Sequence, residues 1–169
     1  MTTDFVRVET QEQIDSLCAI AKTIWHETYD DLLPEGQVDY MIEKFQSDSA
    51  VKAQMAAQGY EYTLMVCDGA DAGFIGVSPQ YERDDELFLS KLYLLNQYRG
   101  NGVIRKAFAR IEEQAGKLGL KRIRLTVNKG NAHAIEVYTH YGFVTTEEVQ
   151  SDIGHGYVMD DYIMEKKLW

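Results

Sequence analysis

The sequence predicts an α/β or α+β fold with a mixed central sheet, and three observations support this prediction. The chain has 169 residues, of which 45% are hydrophobic and 26% charged, a size and balance typical of one globular domain. Segments of period two alternate with segments of helical period, which gives the element order βααα-βββ-α-β-α-ββ. Hairpin-like connections come first and helical crossovers later, so antiparallel and parallel strand pairs are both expected.

The first third of the chain predicts one strand followed by three helices. Residues 5–8 alternate between apolar and charged side chains, as a strand does. Thr10 and Gln13 have the spacing of a capping box, which predicts a helix start. Pro34 predicts the first turn of a second helix, and a short third helix is expected around residues 51–55. The residues that follow Thr10 at helical spacing are Ile14, Leu17, Cys18, Ala21, Ile24, Trp25 and Thr28.

After Gly59 the pattern changes to strands, with two helices between them. Asp68-Gly69 is typical of a tight hairpin turn between the first two of these strands. The helices extend from about Gly102 to Gly119 and over residues 131–141, and a glycine ends each of them. The predicted strands cover residues 60–67, 73–77, 87–95, 122–127, 143–149 and 157–168.

The charge of the chain is unevenly distributed. The formal net charge is −10, which argues against a nucleic-acid-binding protein because phosphates repel an acidic surface. Residues 1–96 carry a net charge of −12, residues 97–146 one of +6 and residues 147–169 one of −4. The middle segment is therefore a cationic island to which an anionic ligand could bind.

The most informative segment is the glycine turn, residues 97–104, inside this cationic island. It joins a predicted strand directly to an amphipathic helix, and a helix that begins at glycines presents free backbone N–H groups and the positive end of its dipole. Gly100 and Gly102 let the backbone approach a phosphate closely. A hairpin at this turn is excluded because the next residues are helical. The turn is neither a P-loop nor the dinucleotide fingerprint, which would need a glycine at Arg105.

Two motifs, in this order, resemble those of the GNAT superfamily of N-acetyltransferases. The first is Q/R-x-x-G-x-G/A after a strand, the acetyl-coenzyme A (acetyl-CoA) signature of that family, which residues 97–102 match. The second, N-x-x-A-x-x-x-Y-x-x-x-G-F, is matched by Asn131, Ala134, Tyr138, Gly142 and Phe143. The resemblance covers about residues 60–168 and, in outline, the N-terminal helices. The segment 157–166 is similar to small bacterial members that act on polyamines.

The resemblance implies a mostly antiparallel sheet of about seven strands flanked by four or five helices, in one domain over residues 1–169. Residues 1–59 would supply a strand and the acceptor-side helices, and residues 60–169 the cofactor-binding core. Acetyl-CoA is implied as the co-substrate, and its phosphates suit the +6 segment. The implied cofactor-binding residues are Leu92, Tyr93 and Leu94 through their main chain, Arg99, Gly100, Asn101, Gly102, Val103 and Ile104 around the pyrophosphate, and Asn131.

Asn131 and Tyr138 each have two interpretations. Asn131 stands where a helix must begin and is expected to be its N-cap, while the resemblance adds a contact with the cofactor; both roles can hold. Tyr138 on the inner face of this helix could be core packing, but the resemblance implies the general acid that protonates the coenzyme A thiolate. A phenol with a pKa near 10 keeps its proton at neutral pH and can still deliver it.

The general base stays open at this point. Many relatives carry glutamates on the central strand, where this chain has Phe88 and Ser90. The amine could also lose its proton through water to the solvent. The carboxylates nearest in sequence or on a neighbouring strand are Asp84, Asp85, Glu86 and Glu61.

The N-terminal helices would form the wall of the acceptor pocket, with Trp25, His26 and Tyr29 as candidate substrate contacts. His26 is either a proton carrier or an ordinary surface residue. The four histidines lack ligand spacing, and the chain has no CxxC or HExxH motif, so no metal is expected.

The expected function is acetyl transfer from acetyl-CoA to a primary amine by direct attack in a ternary complex. The acidic first 96 residues favour a cationic acceptor such as a polyamine, an amino-terminal group or a lysine, although solubility alone also explains an acidic surface. Two alternatives remain: a catalytically degenerate module that binds coenzyme A as a sensor, and an unrelated phosphate-binding domain. A cytoplasmic protein without membrane or nucleic-acid partners is expected, since residues 1–10 do not form a signal peptide, and a homodimer is one option.

Overall fold

A computed structural model describes residues 1–168, which form one sheet with helices on both faces. The strands are β1 (Thr3–Arg7), β2 (Glu61–Cys67), β3 (Ala70–Pro79), β4 (Glu86–Leu94), β5 (Arg122–Asn128), β6 (Val144–Gly154) and β7 (Tyr157–Lys167). The helices are α1 (Gln11–Tyr29), α2 (Gln37–Phe45), α3 (Asp48–Ala57), α4 (Val103–Lys117) and α5 (Ala132–His140).

The seven strands lie in the order β1-β2-β3-β4-β5-β7-β6. Every neighbouring pair is antiparallel except β4 and β5, which are parallel because α4 crosses over between them. The predicted mixed, mostly antiparallel sheet of about seven strands with five helices is therefore confirmed.

Local sequence signals explain most of the element ends. Thr10 and Gln13 form the predicted capping box. Asp68 and Gly69 both have positive φ, as a tight hairpin turn requires. The prediction that Pro34 lies in the first turn of a helix is wrong. The helix α2 begins only at Gln37, because the left-handed N-cap Gly36 (φ +84°) prevents the helix from extending back to the proline.

The two faces of the sheet bury separate cores. One core packs α4 and α5 against the sheet and includes Leu87, Phe108, Ile111, Leu125 and Phe143. The other packs α1, α2 and α3 against the opposite face and includes Leu17, Ile24, Trp25, Tyr62 and Phe74. The helices of this second face all precede β2 in the chain.

The parallel strands β4 and β5 separate halfway along their length. Gly76 of β3 pairs with Lys91 and Val77 pairs with Leu89, so Ser90 is an extra residue in β4. Such a bulge bends a strand and increases its twist. Pairing of β4 with β5 ends at Leu89, opposite Leu125. Beyond this point β5 continues to pair with β7, while β4 leaves it and a gap opens between them.

A buried ion pair joins the two strands at the end where they still pair. The Glu86 carboxylate has no exposed surface, and the Arg124 Nε donates to its two oxygens at 3.3 and 3.1 Å. Arg122 donates to the Asp85 carboxylate at the same edge. These pairs hold the closed end of the gap.

We expect Glu86→Gln to lower the free energy of unfolding by about 2 kcal/mol, because it leaves the buried Arg124 guanidinium without its fully buried counter-charge. Urea unfolding at pH 7 measures this change. Glu113→Gln is the matched control, since Glu113 pairs only with Lys117 on the exposed face of α4 and its loss should leave the unfolding midpoint unchanged. Equal midpoints for the two variants would contradict a stabilising role for the buried pair.

Candidate active site

A cavity of about 100 Å³ lies where β4 and β5 separate, and we call it the inner cavity. Its walls come from both strands, from α5 and from the start of α4. Six of the ten predicted cofactor residues, together with the predicted general acid, line the cavity, and the other four lie in the glycine turn. Leu92, Tyr93, Leu94, Arg99, Ile104, Asn131 and Tyr138 line this cavity, whereas Gly100, Asn101, Gly102 and Val103 form the turn that leads into it.

The glycine turn has the predicted backbone geometry. Gly100 and Gly102 have φ values of +81° and +76°, in the left-handed region that side chains disfavour. Gly102 is the N-cap of α4 and provides no side-chain cap, and the first backbone bond of the helix is donated by the Lys106 N–H. The N–H groups of the first helical turn are therefore available to an anion.

Asn131 is the N-cap of α5, as predicted. Its Oδ1 accepts a hydrogen bond from the Ala134 N–H at 3.3 Å. Asn131 also lines the inner cavity, and its Nδ2 group takes no part in the cap. The cofactor contact itself stays a prediction.

Tyr138 points from α5 into the inner cavity while its ring packs on the core. The ring lies edge-on to Phe108 and tilted against Phe143, with centroid distances of 6.1 and 5.8 Å. Burial raises the pKa of its phenol well above the ordinary value, with a smaller contribution from the nearby Tyr29. Tyr138 thus packs in the core and also lines the inner cavity, and its role as the general acid stays a prediction.

Two further phenols stand beside Tyr138. The hydroxyls of Tyr29 and Tyr93 lie 2.8 Å apart, and either can donate to the other. Burial raises the pKa of Tyr29 to about 12, and burial raises that of Tyr93 well above its usual value. At neutral pH all three phenols keep their protons.

A second, larger cavity of about 640 Å³ lies on the α1–α3 side of the sheet, and we call it the outer cleft. It shares Tyr29, Ser90, Tyr93 and Thr126 with the inner cavity. Of the three predicted substrate contacts, Trp25 and Tyr29 line this cleft. The bulge at Ser90 therefore creates one place where two cavities on opposite sides of β4 meet.

Comparison with known proteins identifies the family. The model of the acetyltransferase (GNAT) family matches residues 23–143, which include the glycine turn, Asn131 and Tyr138. The chain belongs to this family. The match covers well over half of the chain and extends into α1, which the sequence motifs resembled only in outline.

Two relatives are similar to the chain in sequence, and one solved structure is similar to it in fold. The uncharacterized N-acetyltransferase YjgM of Escherichia coli (strain K12) is 30% identical over 98 residues, or 57% of this chain. A spermine/spermidine N(1)-acetyltransferase of Bacillus subtilis (strain 168) is 32% identical over 90 residues, or 50% of this chain. In both cases the matched segment spans 59% of the relative's own length. The crystal structure of the PaiA N-acetyltransferase of Thermoplasma acidophilum in complex with coenzyme A has the same fold, with 21% identity, 99% of each chain covered and a TM-score of 0.80.

The sequence motifs of the GNAT family gave no indication of Asp161. This residue of β7 lies opposite Asn128 of β5, is 5% exposed and lines the outer cleft. Burial raises the pKa of its carboxyl to about 6, the Asp160 charge adds to this effect and Lys129 opposes it. The sequence contains one signal for this residue. Asp161 lies on the same strand face as Met159 and Ile163, at a position where the alternating pattern of the strand predicts an apolar side chain.

The carboxylates named from the sequence as candidate bases are engaged elsewhere. Glu86 and Asp85 form the ion pairs at the closed end of β4 and β5. Glu61 lies in a different groove, beside α4, where it pairs with Arg7 and accepts from Gln114. Asp84 is exposed in the loop before β4.

His26 is half-exposed and lies outside both cavities. Its two ring nitrogens contact the carboxylates of Asp30 and Asp39 at 2.8 and 2.9 Å. These hydrogen bonds raise its pKa. The arrangement ties α1 to α2 at the surface, which agrees with the surface alternative for this residue, and a substrate role stays a prediction without support from the geometry.

Within residues 1–168 no three His, Cys, Asp or Glu side chains are arranged to hold a metal ion. None of the helices α1–α5 is long and apolar enough to cross a membrane.

Proposed function

We propose that the chain is an acetyl-CoA-dependent N-acetyltransferase that acts on a primary amine by direct attack in a ternary complex. The observation that carries this proposal is the junction of the inner cavity and the outer cleft at Tyr29, Ser90, Tyr93 and Thr126. Two substrates that enter from opposite sides of β4 would meet there. Neither of the two cysteines lines either cavity, so a covalent acetyl-enzyme on a thiol has no candidate nucleophile in these walls.

The gap between β4 and β5 suits the pantetheine arm of acetyl-CoA. Beyond Leu89 the backbone of β4 has no partner on β5, so the main chain of residues 92–94 can bind the amide groups of the arm. At the other end, the free N–H groups of α4 and the guanidinium of Arg99 suit the pyrophosphate. The +6 segment supplies the surrounding positive charge.

Tyr138 is the proposed general acid. When the amine nitrogen bonds to the acetyl carbon, the carbon–sulfur bond breaks and the sulfur leaves as a thiolate, which takes the proton of the phenol. Burial raises the pKa of Tyr138, but it raises that of a thiolate in the same cavity for the same reason. The pKa of the phenol that gives the proton and that of the thiol that receives it therefore rise together in the buried site.

Asp161 is the proposed general base. Its raised pKa of about 6 makes it a better base than an ordinary aspartate while it remains ionised at pH 7. It is close enough to Tyr29 and Tyr93 for its charge to raise their pKa values. Its position in the wall of the outer cleft lets it take a proton from an amine that approaches the junction.

The main alternative is a degenerate member of the family that binds coenzyme A as a sensor. A sensor needs the inner cavity but has no use for an acid and a base on either side of the junction. Tyr138 and Asp161 both line these cavities, and each carries a strong pKa shift caused by burial. This pairing favours the enzyme.

Acceptor-dependent release of free thiol tests the proposed function. Acetyl-CoA is incubated with the protein and a panel of primary amines, and the thiol released without amine is subtracted. The proposal predicts amine-dependent thiol and an equal amount of acetylated amine by mass spectrometry. Tight binding of acetyl-CoA without amine-dependent thiol would favour the sensor, and no rise of the melting temperature with acetyl-CoA would contradict both functions.

We expect Gly102→Ala to raise the KM for acetyl-CoA about tenfold. A Cβ at φ +76° strains the turn by about 1 kcal/mol and moves the backbone N–H groups that face the pyrophosphate. Gly119→Ala is the matched control, because Gly119 ends the same helix with φ +71° and open space around it. Both variants should lose similar stability in thermal unfolding, and only Gly102→Ala should change the KM. A similar KM for acetyl-CoA in Gly102→Ala and Gly119→Ala would contradict the proposal that the glycine turn binds the cofactor.

A further inference from the structure

The outer cleft differs in charge from the acidic surface around it. Its charged side chains are three cations, Lys44, Lys91 and Arg124, and two carboxylates, Glu82 and Asp161. The acidic character of residues 1–96 therefore does not continue into the cleft. The sequence favoured a cationic acceptor only because residues 1–96 are acidic. The charged residues of the cleft itself favour a different class of acceptor.

Lys91 is the cation that lies nearest to the junction of the two cavities. It follows the bulge residue Ser90, and its Nζ donates to the Ser90 Oγ at 2.8 Å. Within residues 1–168 no carboxylate oxygen lies within 4.0 Å of the Lys91 Nζ. Burial lowers its pKa to about 8, with no carboxylate to offset the effect. The ammonium is thus a desolvated charge without a counter-ion.

Arg124 lies on the same side of the cleft, but its Nε donates to the buried Glu86 carboxylate, which offsets its charge. Its guanidinium lies over the Phe88 ring at 4.6 Å, and its side chain is 8% exposed. Nη2 is buried without a hydrogen bond to residues 1–168, and the Glu82 carboxylate that lies 3.4 Å from it is largely exposed. Tyr60 connects this region to Lys91, because its hydroxyl donates to the Ser90 Oγ at 2.9 Å.

We propose that the acceptor is a primary amine that also carries a carboxylate, and that Lys91 binds this carboxylate while the amine faces Asp161 at the junction. This inference rests on the proposed function and names its substrate class. A carboxylate would supply the counter-ion that Lys91 lacks. A polyamine, by contrast, would place a second ammonium beside a lysine whose charge no carboxylate offsets.

The body of the acceptor is expected to be apolar. Aromatic rings form much of the wall of the cleft, and Tyr81 stacks on Phe88 with ring centroids 4.9 Å apart. Trp25 lies beneath the Lys91 ammonium, 6.0 Å from it. An amino acid with an apolar side chain, or an ω-amino acid with a methylene chain, combines the three features: an amine, a carboxylate and an apolar body.

The test measures kcat/KM for matched pairs of acceptors. The panel contains ω-amino acids of two to six carbons and apolar α-amino acids, each with its own carboxamide, together with spermidine. We expect the best carboxylate acceptor to exceed its carboxamide and spermidine by about tenfold or more. In Lys91→Met this ratio should fall to near one, in Lys91→Arg it should persist, and in the control Lys22→Met, on the exposed face of α1, it should be unchanged.

The outcomes separate this inference from the proposed function. Transfer that prefers carboxamides or spermidine would overturn the carboxylate acceptor while it supports the acetyltransferase. A carboxylate preference that survives in Lys91→Met would overturn the role of Lys91. No amine-dependent thiol from any member of the panel would overturn the proposed function itself.

Discussion

Replacement of Tyr138 by phenylalanine is expected to lower kcat about 10²–10³-fold, with little change in the KM for acetyl-CoA. Phenylalanine keeps the ring that packs on Phe108 and Phe143, and it removes only the hydroxyl. Without that proton the sulfur must leave as a free thiolate in a buried cavity, which burial disfavours. Steady-state release of thiol with the best amine measures kcat, and the melting temperature shows whether the fold is intact.

Tyr141→Phe is the matched control for Tyr138→Phe. Tyr141 caps the end of the same helix and stacks on Phe108 at 4.4 Å, but it does not line either cavity. Loss of its hydroxyl should leave kcat within about twofold. Equal kcat values for Tyr138→Phe and the parent would show that the phenol does not supply the proton.

Replacement of Asp161 by asparagine is expected to lower kcat about 10²-fold at pH 8 and to remove the acidic limb of its pH profile. In the parent, kcat at saturating amine should decrease as the pH drops below about 6, because protonation of Asp161 removes the proposed base. Burial sets this pKa, with the Asp160 charge adding to the effect and Lys129 opposing it. The other titratable or charged groups that line the cleft are Tyr29, Tyr60, Tyr81, Tyr93, Lys44, Lys91, Glu82 and Arg124. An unchanged acidic limb in the variant would assign it to another group.

Stability provides an independent readout for Asp161. The pKa of its carboxyl is higher in the folded state than in the unfolded chain, so the folded state binds the proton more tightly. The stabilisation by this proton is fully present below the unfolded pKa and is lost as the pH rises through about 6. The Asp161→Asn variant should therefore unfold at a higher urea concentration than the parent at pH 8, and at a similar urea concentration at pH 4. A variant that is inactive but more stable at pH 8 would separate loss of the base from loss of the fold.

The sequence predicts the elements that local signals define. The capping box at Thr10, the turn at Asp68-Gly69 and the helix that begins after Gly102 all depend on residues within four positions of each other. The glycine turn and the residues Asn131 and Tyr138 are likewise recognisable as short motifs. For this reason seven of the sixteen residues that line the inner cavity could be named from the sequence as cofactor or catalytic residues.

The outer cleft could not be predicted in the same way. Its residues come from all three N-terminal helices and from four strands, and Lys91 and Asp161 are brought into it by long-range pairing. The bulge at Ser90 changes which face the next residues of β4 present, and no single-residue signal marks it. The net charge of residues 1–96 likewise describes an outer surface and not the cleft.

The most direct measurement of the central claim is a crystal structure of the protein with coenzyme A. The pyrophosphate should lie at the N-terminus of α4, the arm should run between β4 and β5, and the sulfur should lie about 3–4 Å from the Tyr138 hydroxyl. Binding of coenzyme A with its sulfur outside the junction of the two cavities, or with the arm in the outer cleft, would contradict the account.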